Sequence, residues 1–212
     1  MVGAMGQNHV NAMPARLYLV RHGETAWSLS GQHTGNTDLP LTERGEQQAS
    51  RLAPWLRAIS FTHVFTSPLQ RAWRTCELAG LGSTATIAAD LAEWDYGDYE
   101  GKLSQDIRES RPGWSAFRDG CPAGEMPWQI SARADRLIRQ LCTLRGDIAL
   151  FSHAGFGAVL AVRWLGLPIA EGVHFPLSPA SLAILGYTPG HPETRAINLW
   201  NAAPHPLSPE QN

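Results

Sequence analysis

Short continuous apolar runs, each followed by a polar turn and then by a stretch with helical spacing, recur along this chain. The run at residues 17–20 is continuous, and shorter apolar stretches lie within residues 63–66 and 147–151. A continuous apolar run is typical of a strand that is buried on both faces of a parallel sheet. Strands that alternate with helices place those helices on both sides of the sheet. The pattern therefore predicts an α/β fold, a three-layer α/β/α sandwich with a mostly parallel sheet.

Helix signals follow these runs. Thr42 is a suitable N-cap, and Pro54 is expected to kink or end the helix that begins there. Ser67 and Pro68 predict the N-cap and the first position of the next helix. The remaining predicted elements are a helix at 130–144, a helix that ends near 165, and strands at 181–186 and 195–199.

These signals indicate a single domain over residues 14–203. Three of the four methionines, at positions 1, 5 and 13, precede the first predicted strand, so residues 1–13 are expected to be a disordered leader. The polar residues 204–212 are expected to be a flexible tail. No apolar run approaches the roughly 20 residues that a membrane span needs. The first residues also lack the apolar region of a secretory signal.

The charge and the cysteine content of the chain constrain its binding partners and its cellular location. The chain has 17 Lys and Arg against 19 Asp and Glu, a formal net charge of -2, which argues against nucleic acid as a partner. Cys76, Cys121 and Cys142 form no CxxC pair, so neither a zinc ribbon nor a disulfide framework is indicated. A reducing, cytoplasmic location is therefore expected. No heptad pattern stands out, which leaves both a monomer and a homodimer open.

Histidine turns follow two of the predicted strands. Arg21 and His22 come after the strand at 17–20, and His153 comes after the strand at 147–151. Arg71 lies in the first turn of the helix after the strand at 63–66, near the positive end of its dipole. Because ligands bind beyond the carboxyl ends of strands in such sheets, these side chains are expected to meet at one edge. Their charges indicate an anion site, and phosphate suits the planar guanidinium donors best.

An imidazole beside a bound phosphate can act as a nucleophile, which divides hydrolysis into two steps. His22 is the candidate, with its tautomer set by a hydrogen bond at the other nitrogen. Glu93, flanked by Trp94 and Tyr96, is the candidate proton donor to the leaving alkoxide. Two other interpretations stay open. The two histidines and Glu93 could bind a metal, which the neighbouring arginines disfavour, or His22 and His153 could be hydrogen-bonded core residues.

The run Arg-His-Gly-Glu-Thr at residues 21–25 resembles the signature of the histidine phosphatase superfamily, whose members are similar to phosphoglycerate mutases. Residues 67–72, 93–101 and 152–155 match in the same order. The resemblance implies a phosphoglycerate mutase-like fold, phosphomonoester hydrolysis through a phosphohistidine, and neither metal nor organic cofactor. The catalytic residues that it implies are His22 as nucleophile, Glu93 as proton donor, and Arg21, Arg71 and His153 as ligands of the phosphoryl oxygens.

One branch, which includes sedoheptulose-1,7-bisphosphatase-type sugar phosphatases, is resembled particularly through residues 27–35, 37–42 and 93–101. Ser28 stands where the superfamily often has Asn, and Ser is similarly found in that branch. Arg21, Ser28 and Arg71 are therefore expected to bind the substrate phosphate. The resemblance also implies backbone donors at Thr34 and Gly35, and a sugar phosphate or sugar bisphosphate as substrate.

Specificity is expected to depend on residues 94–128. Tyr96 and Arg118 are candidate substrate-binding residues, and Arg118 is the candidate for a second phosphate. Arg108 and Arg111 are assigned to a solvated helix face. The side chains that either reach the pocket or pack in the core are Trp94, Trp114, Trp128 and His33.

Two alternatives to hydrolysis remain. A phosphoglycerate mutase-type transferase would return the phosphoryl group to a second hydroxyl. The chain shows no clear counterpart to the longer insertion and additional basic residues of the mutases that it resembles. A non-catalytic phosphoanion-binding module is disfavoured because every candidate catalytic residue is present.

Overall fold

One six-stranded sheet forms the centre of the protein in the computed structural model, which describes residues 14–204. The strands are β1 (Arg16–Arg21), β2 (Phe61–Thr66), β3 (Ala85–Ile87), β4 (Asp147–Ser152), β5 (Leu182–Thr188) and β6 (His191–Ala202). Their order is β3-β2-β4-β1-β5-β6. The pairs among β1 to β4 are parallel, whereas β5 is antiparallel to both β1 and β6. The predicted mostly parallel sheet is confirmed. The expectations for residues 1–13 and for the tail from residue 205 lie outside the described residues.

Helices connect most of the strands. They are α1 (Ala26–Ser30), α2 (Glu43–Ser50), α3 (Ala53–Arg57), α4 (Gln70–Leu78), α5 (Ser104–Ser110), α6 (Ala116–Asp119), α7 (Pro127–Leu141) and α8 (Ala154–Leu165). Across residues 14–204, none of these helices has the length and apolar character needed to cross a membrane.

The central strands bury alternate residues on opposite faces of the sheet, as the continuous apolar runs predict. Leu17 and Leu19 of β1 pack in one cluster with residues of α7 and α8. Tyr18 and Val20 pack in a second cluster with residues of α3 and α4. Helices therefore cover both faces, which confirms the three layers.

The parallel strands bring the predicted histidine turns to one place. β4 lies between β2 and β1, and Phe151 is in register with both Val20 and Thr66. The residues that follow these strands consequently leave the sheet at the same edge. This edge carries the candidate site.

One predicted helix start is wrong, and one predicted break is confirmed. Helix α4 begins at Gln70 rather than directly after Ser67. The Ser67 hydroxyl bonds to His153 Nε2 at 2.7 Å and accepts the N–H of Leu69 at 3.3 Å, ahead of the first helical residue. The Asp38 carboxylate instead accepts the N–H of Gln70 at 2.8 Å. The predicted break lies at residues 51–52, between α2 and α3, and Pro54 is in the first turn of α3, where its missing N–H is tolerated.

Candidate active site

Residues after β1, β2 and β4 form the base of the site. His22 follows β1 and His153 follows β4, and their ring centroids are 5.2 Å apart. Both rings are buried, with exposed fractions of 4% and 0%. Ser67, which follows β2, reaches His153 from the other side. The strand order thus brings together side chains that are 131 positions apart in the sequence.

His22 is held with one defined nitrogen available for chemistry. Its Nδ1 lies 2.7 Å from the carbonyl oxygen of Gly23. Because a carbonyl oxygen only accepts hydrogen bonds, Nδ1 carries the proton and Nε2 keeps its lone pair. Burial lowers the pKa of His22 well below its ordinary value of 6.5, and the charges of Arg21 and Arg71 lower it further. The ring is therefore neutral at physiological pH, as a nucleophile must be.

Arg21 provides an unpartnered donor at the same edge. Its Nη1 donates to the carbonyl oxygen of Leu177. Its Nε is buried and has no hydrogen-bond partner among the described residues. An unpaired buried N–H costs free energy unless a ligand accepts from it. An anion next to His22 would supply that acceptor.

A small cavity of about 110 Å³ lies against these side chains. Its walls include Arg21, His22, Ser28, Gln32, His33, Thr34, Glu93, Tyr96, Ala154 and Gly155. Six of the ten predicted site residues line this cavity: Arg21, His22, Ser28, Thr34, Glu93 and Tyr96. The backbone N–H of Thr34 donates to no described residue, so it is free to bind an oxygen of a ligand.

Arg71 and His153 lie behind the small cavity. Arg71 is fully buried, and its Nε donates to His153 Nδ1 at 3.2 Å. His153 Nδ1 must therefore be unprotonated, and the proton on Nε2 is donated to the Ser67 hydroxyl at 2.7 Å. Burial and the charge of Arg71 lower the pKa of His153 well below its ordinary value. In this arrangement both nitrogens of His153 are engaged, and neither it nor Arg71 lines the small cavity.

Glu93 is placed at the amino terminus of α8. Its Oε1 accepts the N–H of Trp94 at 2.8 Å and that of Phe156 at 2.7 Å, and its Oε2 accepts the N–H of Gly155 at 3.0 Å. A Cβ atom on Gly155 would lie 2.8 Å from both Glu93 Oε1 and Tyr96 Oη. The absence of a side chain at this position is therefore what allows the carboxylate to face the small cavity beside His22.

Ser28, Thr34 and Gly35, the residues after β1 that were predicted to bind phosphate, differ in their contacts and in whether they line the cavity. Ser28 and Thr34 line the small cavity, whereas Gly35 does not. The N–H of Gly35, which was expected to bind phosphate, donates to Glu100 Oε1 at 2.7 Å. The Ser28 hydroxyl accepts the N–H of Thr25 at 2.8 Å and donates to the carbonyl of Thr25 at 3.0 Å.

A large cavity of about 330 Å³ adjoins the small one, and both are lined by His33, Tyr96, Ala154 and Gly155. Most of its remaining walls are aromatic or apolar, and Arg108 is the one charged side chain among its lining residues. The additional aromatic side chains in its wall are Trp94, Trp114, Phe117 and Phe175. Tyr96 lines both cavities, whereas Trp94 and Trp114 line the large cavity and also belong to the buried core cluster.

Arg118 and Trp128 lie elsewhere. The Arg118 guanidinium is paired with Asp119, with Nη2 and Oδ2 at 2.9 Å, and it lines neither cavity. Trp128 is 69% exposed at the start of α7. Arg108, which the sequence placed on a solvated helix face, is the arginine that reaches the large cavity.

The described residues contain no group of three His, Cys, Asp or Glu side chains that could hold a metal ion.

A family model described as "Histidine phosphatase superfamily (branch 1)" matches residues 17–200. The chain belongs to the histidine phosphatase superfamily.

Individual relatives agree with this assignment. An acid phosphatase from Mycobacterium tuberculosis is 39% identical over 197 residues, which cover 91% of this chain and 96% of that protein. A sedoheptulose 1,7-bisphosphatase from Saccharomyces cerevisiae is 36% identical over 192 residues, which cover 76% of this chain and 71% of that protein. A solved structure of an open reading frame product from Mycobacterium tuberculosis has a TM-score of 0.83 and 39% identity, covering 90% of this chain and 99% of that one. This histidine phosphatase is therefore an enzyme of the phosphatase class with a phosphoglycerate mutase-like fold.

Two contacts of this histidine phosphatase were not identified from the sequence. Ser67 was assigned to a helix cap, although a polar residue at the end of a central strand is equally suited to contact a neighbouring strand end. Gln32 lines the small cavity and donates from Nε2 to the carbonyl of Gly101 at 2.7 Å. No local pattern signals this contact, because its partner is 69 positions away.

Acid is expected to destabilise this histidine phosphatase from about pH 6.5 downward. Burial lowers the pKa values of His22, His153 and His33, the last to about 4. Below 6.5 the unfolded chain therefore binds more protons than the folded protein, so the free energy of unfolding falls as pH falls. Thermal unfolding between pH 7.5 and pH 5 measures this effect. The variant His33→Phe is expected to lose less melting temperature over this interval, and an equal loss in both proteins contradicts the assignment.

Proposed function

We propose that the protein is a metal-independent phosphomonoester hydrolase that works through a phosphohistidine on His22. The observation that carries the proposal is the bond from His22 Nδ1 to the carbonyl oxygen of Gly23, at 2.7 Å, in a ring that lines the small cavity. It leaves the Nε2 lone pair for attack on phosphorus. Two further observations support the proposal: the Nε of Arg21 has no partner among the described residues, and Thr34 lines the same cavity.

The reaction would proceed in two steps. His22 Nε2 attacks phosphorus, the bond from phosphorus to the ester oxygen breaks, and protonated Glu93 transfers its proton to the leaving oxygen. A water molecule then attacks the phosphohistidine while Glu93 accepts a proton from it. The bond from phosphorus to nitrogen breaks, which releases phosphate and restores both side chains. Arg21 stabilises the charge on the phosphoryl oxygens throughout.

Positive side chains support the absence of a catalytic metal. Arg21 and Arg71 both lie close enough to His22 to lower its pKa, so a cation at this position would be repelled. The test is a rapid alkali quench of the enzyme with labelled substrate in excess EDTA, followed by acid treatment of a second portion. An alkali-stable, acid-labile phosphate on His22 is expected. A reaction that EDTA abolishes, or turnover without phosphate on His22, would refute the mechanism.

A sugar phosphate or sugar bisphosphate is the substrate class that we propose. The yeast relative that carries the name sedoheptulose 1,7-bisphosphatase supports it, and the large cavity has room for a leaving group of this size. Phosphate release from sugar monophosphates and bisphosphates, nucleotides, phosphoserine and 3-phosphoglycerate tests this substrate class.

Cys76, Cys121 and Cys142 are all free thiols, which supports a cytoplasmic location.

Arg108 is expected to bind the second phosphate of a bisphosphate substrate, in place of Arg118. For Arg108→Gln, kcat/KM for a sugar bisphosphate should fall about tenfold, since an exposed charge-assisted hydrogen bond is lost. The kcat/KM for the matching monophosphate should stay near the wild-type value. Arg118→Gln is the matched control, because its guanidinium pairs with Asp119 outside both cavities. A larger loss in Arg118→Gln than in Arg108→Gln contradicts this assignment.

A mutase-type phosphoryl transferase is the second candidate, because the same phosphohistidine can return its phosphoryl group to another hydroxyl. Incubation with 3-phosphoglycerate, followed by phosphorus NMR, distinguishes the two activities. Inorganic phosphate is expected as the product. Accumulation of an isomeric phosphoglycerate without inorganic phosphate would favour the mutase.

A further inference from the structure

The loop between α1 and α2 forms one wall of the small cavity through Gln32, His33 and Thr34. Most of this loop has no regular secondary structure, so contacts with other segments must hold it in place. Two charged side chains supply those contacts from opposite sides of the backbone at residues 34–37.

Arg71 binds the carbonyl side of the loop. Its Nη1 donates to the carbonyl of Thr37 at 2.9 Å, and its Nη2 donates to those of Gly35 at 2.9 Å and Thr34 at 3.3 Å. The Nε of the same guanidinium donates to His153. One rigid, planar group thus links the loop to the second histidine of the site.

Glu100 binds the amide side. Its Oε1 accepts the N–H of Gly35 at 2.7 Å and that of Thr37 at 3.0 Å. The backbone next to it also pairs with the loop, since the N–H of Gly101 donates to the carbonyl of His33 at 2.8 Å. Hydrogen bonds to a charged acceptor are shorter and stronger than neutral ones, so Glu100 is the main restraint on these two amides.

We propose that Glu100 is a positioning residue of the phosphoryl site, which rests on the proposed function. It touches neither cavity, but it restrains the loop from the side opposite Arg71. By binding the amide of Gly35, the carboxylate restrains the adjacent residue Thr34, which lines the small cavity. It also keeps the loop carbonyls where Arg71 can bind them while bonding His153. Loss of Glu100 therefore impairs phosphoryl transfer and leaves recognition of the leaving group unchanged.

The two loop amides bond to a single oxygen of Glu100, which allows a sharp comparison. Glu100→Gln keeps a carbonyl oxygen at that point, whereas Glu100→Met fills the same space without an acceptor. For Glu100→Met, kcat should fall about 10- to 100-fold, because a misplacement of about 1 Å at a catalytic group has effects of this size. For Glu100→Gln, kcat should stay within about threefold of wild type, since its amide oxygen still accepts both bonds. Glu109→Met, at an exposed position on α5, is the matched control.

Three further measurements separate positioning from a general loss of stability. In Glu100→Met the ratio of kcat/KM between a sugar bisphosphate and its monophosphate should equal that of the wild type. Inhibition by vanadate, which imitates the five-coordinate transition state, should weaken more than inhibition by inorganic phosphate. Amide hydrogen exchange at Gly35 and Thr37 should accelerate in Glu100→Met, remain slow in Glu100→Gln, and stay unchanged in the core strands.

Several results would overturn the proposal. Wild-type kcat in Glu100→Met, or equal losses in the Met and Gln variants, would show that the acceptor at Oε1 does not position the site. Should Glu100→Met fail to fold, amide exchange in Glu100→Gln still decides, since rapid exchange at Gly35 and Thr37 would contradict the assignment. Absence of phosphate on His22 in the wild-type quench refutes the proposed function alone, because the exchange measurement does not depend on catalysis.

Discussion

The substitution His22→Asn is expected to lower kcat by at least about 10⁴-fold, because a residue that forms the covalent intermediate has no substitute in the site. Asparagine retains a hydrogen-bonding side chain but has no nitrogen lone pair of comparable nucleophilicity. Labelled phosphate should no longer appear on the protein after a quench. Steady-state phosphate release with a sugar phosphate substrate measures the loss.

A second histidine serves as the control for this variant. His63 lies on β2 with an exposed side chain, away from both cavities. His63→Asn is expected to keep wild-type kcat and the labelled intermediate. Folding of both variants is checked by circular dichroism and thermal unfolding. Substantial turnover by a folded His22→Asn protein would exclude the phosphohistidine.

The substitution Glu93→Gln is expected to lower kcat about 10²- to 10⁴-fold for alkyl phosphates, the range typical of a lost general acid. An alkoxide leaves poorly without a proton, whereas para-nitrophenolate needs none. The loss should therefore be much smaller with para-nitrophenyl phosphate as substrate. Comparison of the two substrates separates proton donation from a simple distortion of the site.

The hydrogen bonds around Glu93 define the control. The amide of Glu93→Gln can still accept from Trp94 and Phe156 through one oxygen, but its NH₂ group faces the N–H of Gly155. A modest structural change would affect both substrates equally. An equal loss with the alkyl and the nitrophenyl ester would therefore argue against Glu93 as the proton donor. Glu109→Gln, at an exposed position on α5 outside both cavities, controls for loss of a carboxylate.

Local sequence patterns were sufficient to predict the structural features that depend mainly on neighbouring residues. The continuous apolar run at residues 17–20 predicted β1, because a strand buried on both faces stays apolar at successive positions. β4 is buried in the same way, whereas β2 is exposed at Thr62 and His63. The predicted meeting of His22 with the turn at His153 followed from the geometry of parallel sheets and required no knowledge of individual contacts. The short strand β3 and the brief helices α1, α5 and α6 were not predicted. Segments of this length bury too few residues to show a period.

Individual contacts were predicted less well. Arg118 was preferred to Arg108 for a second phosphate because it lies in a turn-like segment, yet the fold pairs Arg118 with Asp119 and directs Arg108 to the large cavity. Gly35 was expected to offer its N–H to phosphate, but Glu100 accepts it. Both outcomes depend on partners elsewhere in the structure.

The sequence by itself determined the layered α/β fold, the edge of the sheet where the site forms, and the residue types that meet there. These features arise from periodicity and from the directions of successive strands, which neighbouring residues control. Tertiary structure decided which atoms are available. The carbonyl of Gly23 leaves His22 with a free Nε2, while Arg71 and Ser67 occupy both nitrogens of His153. Such assignments depend on hydrogen bonds between segments far apart in the chain, and only the packed structure sets those distances.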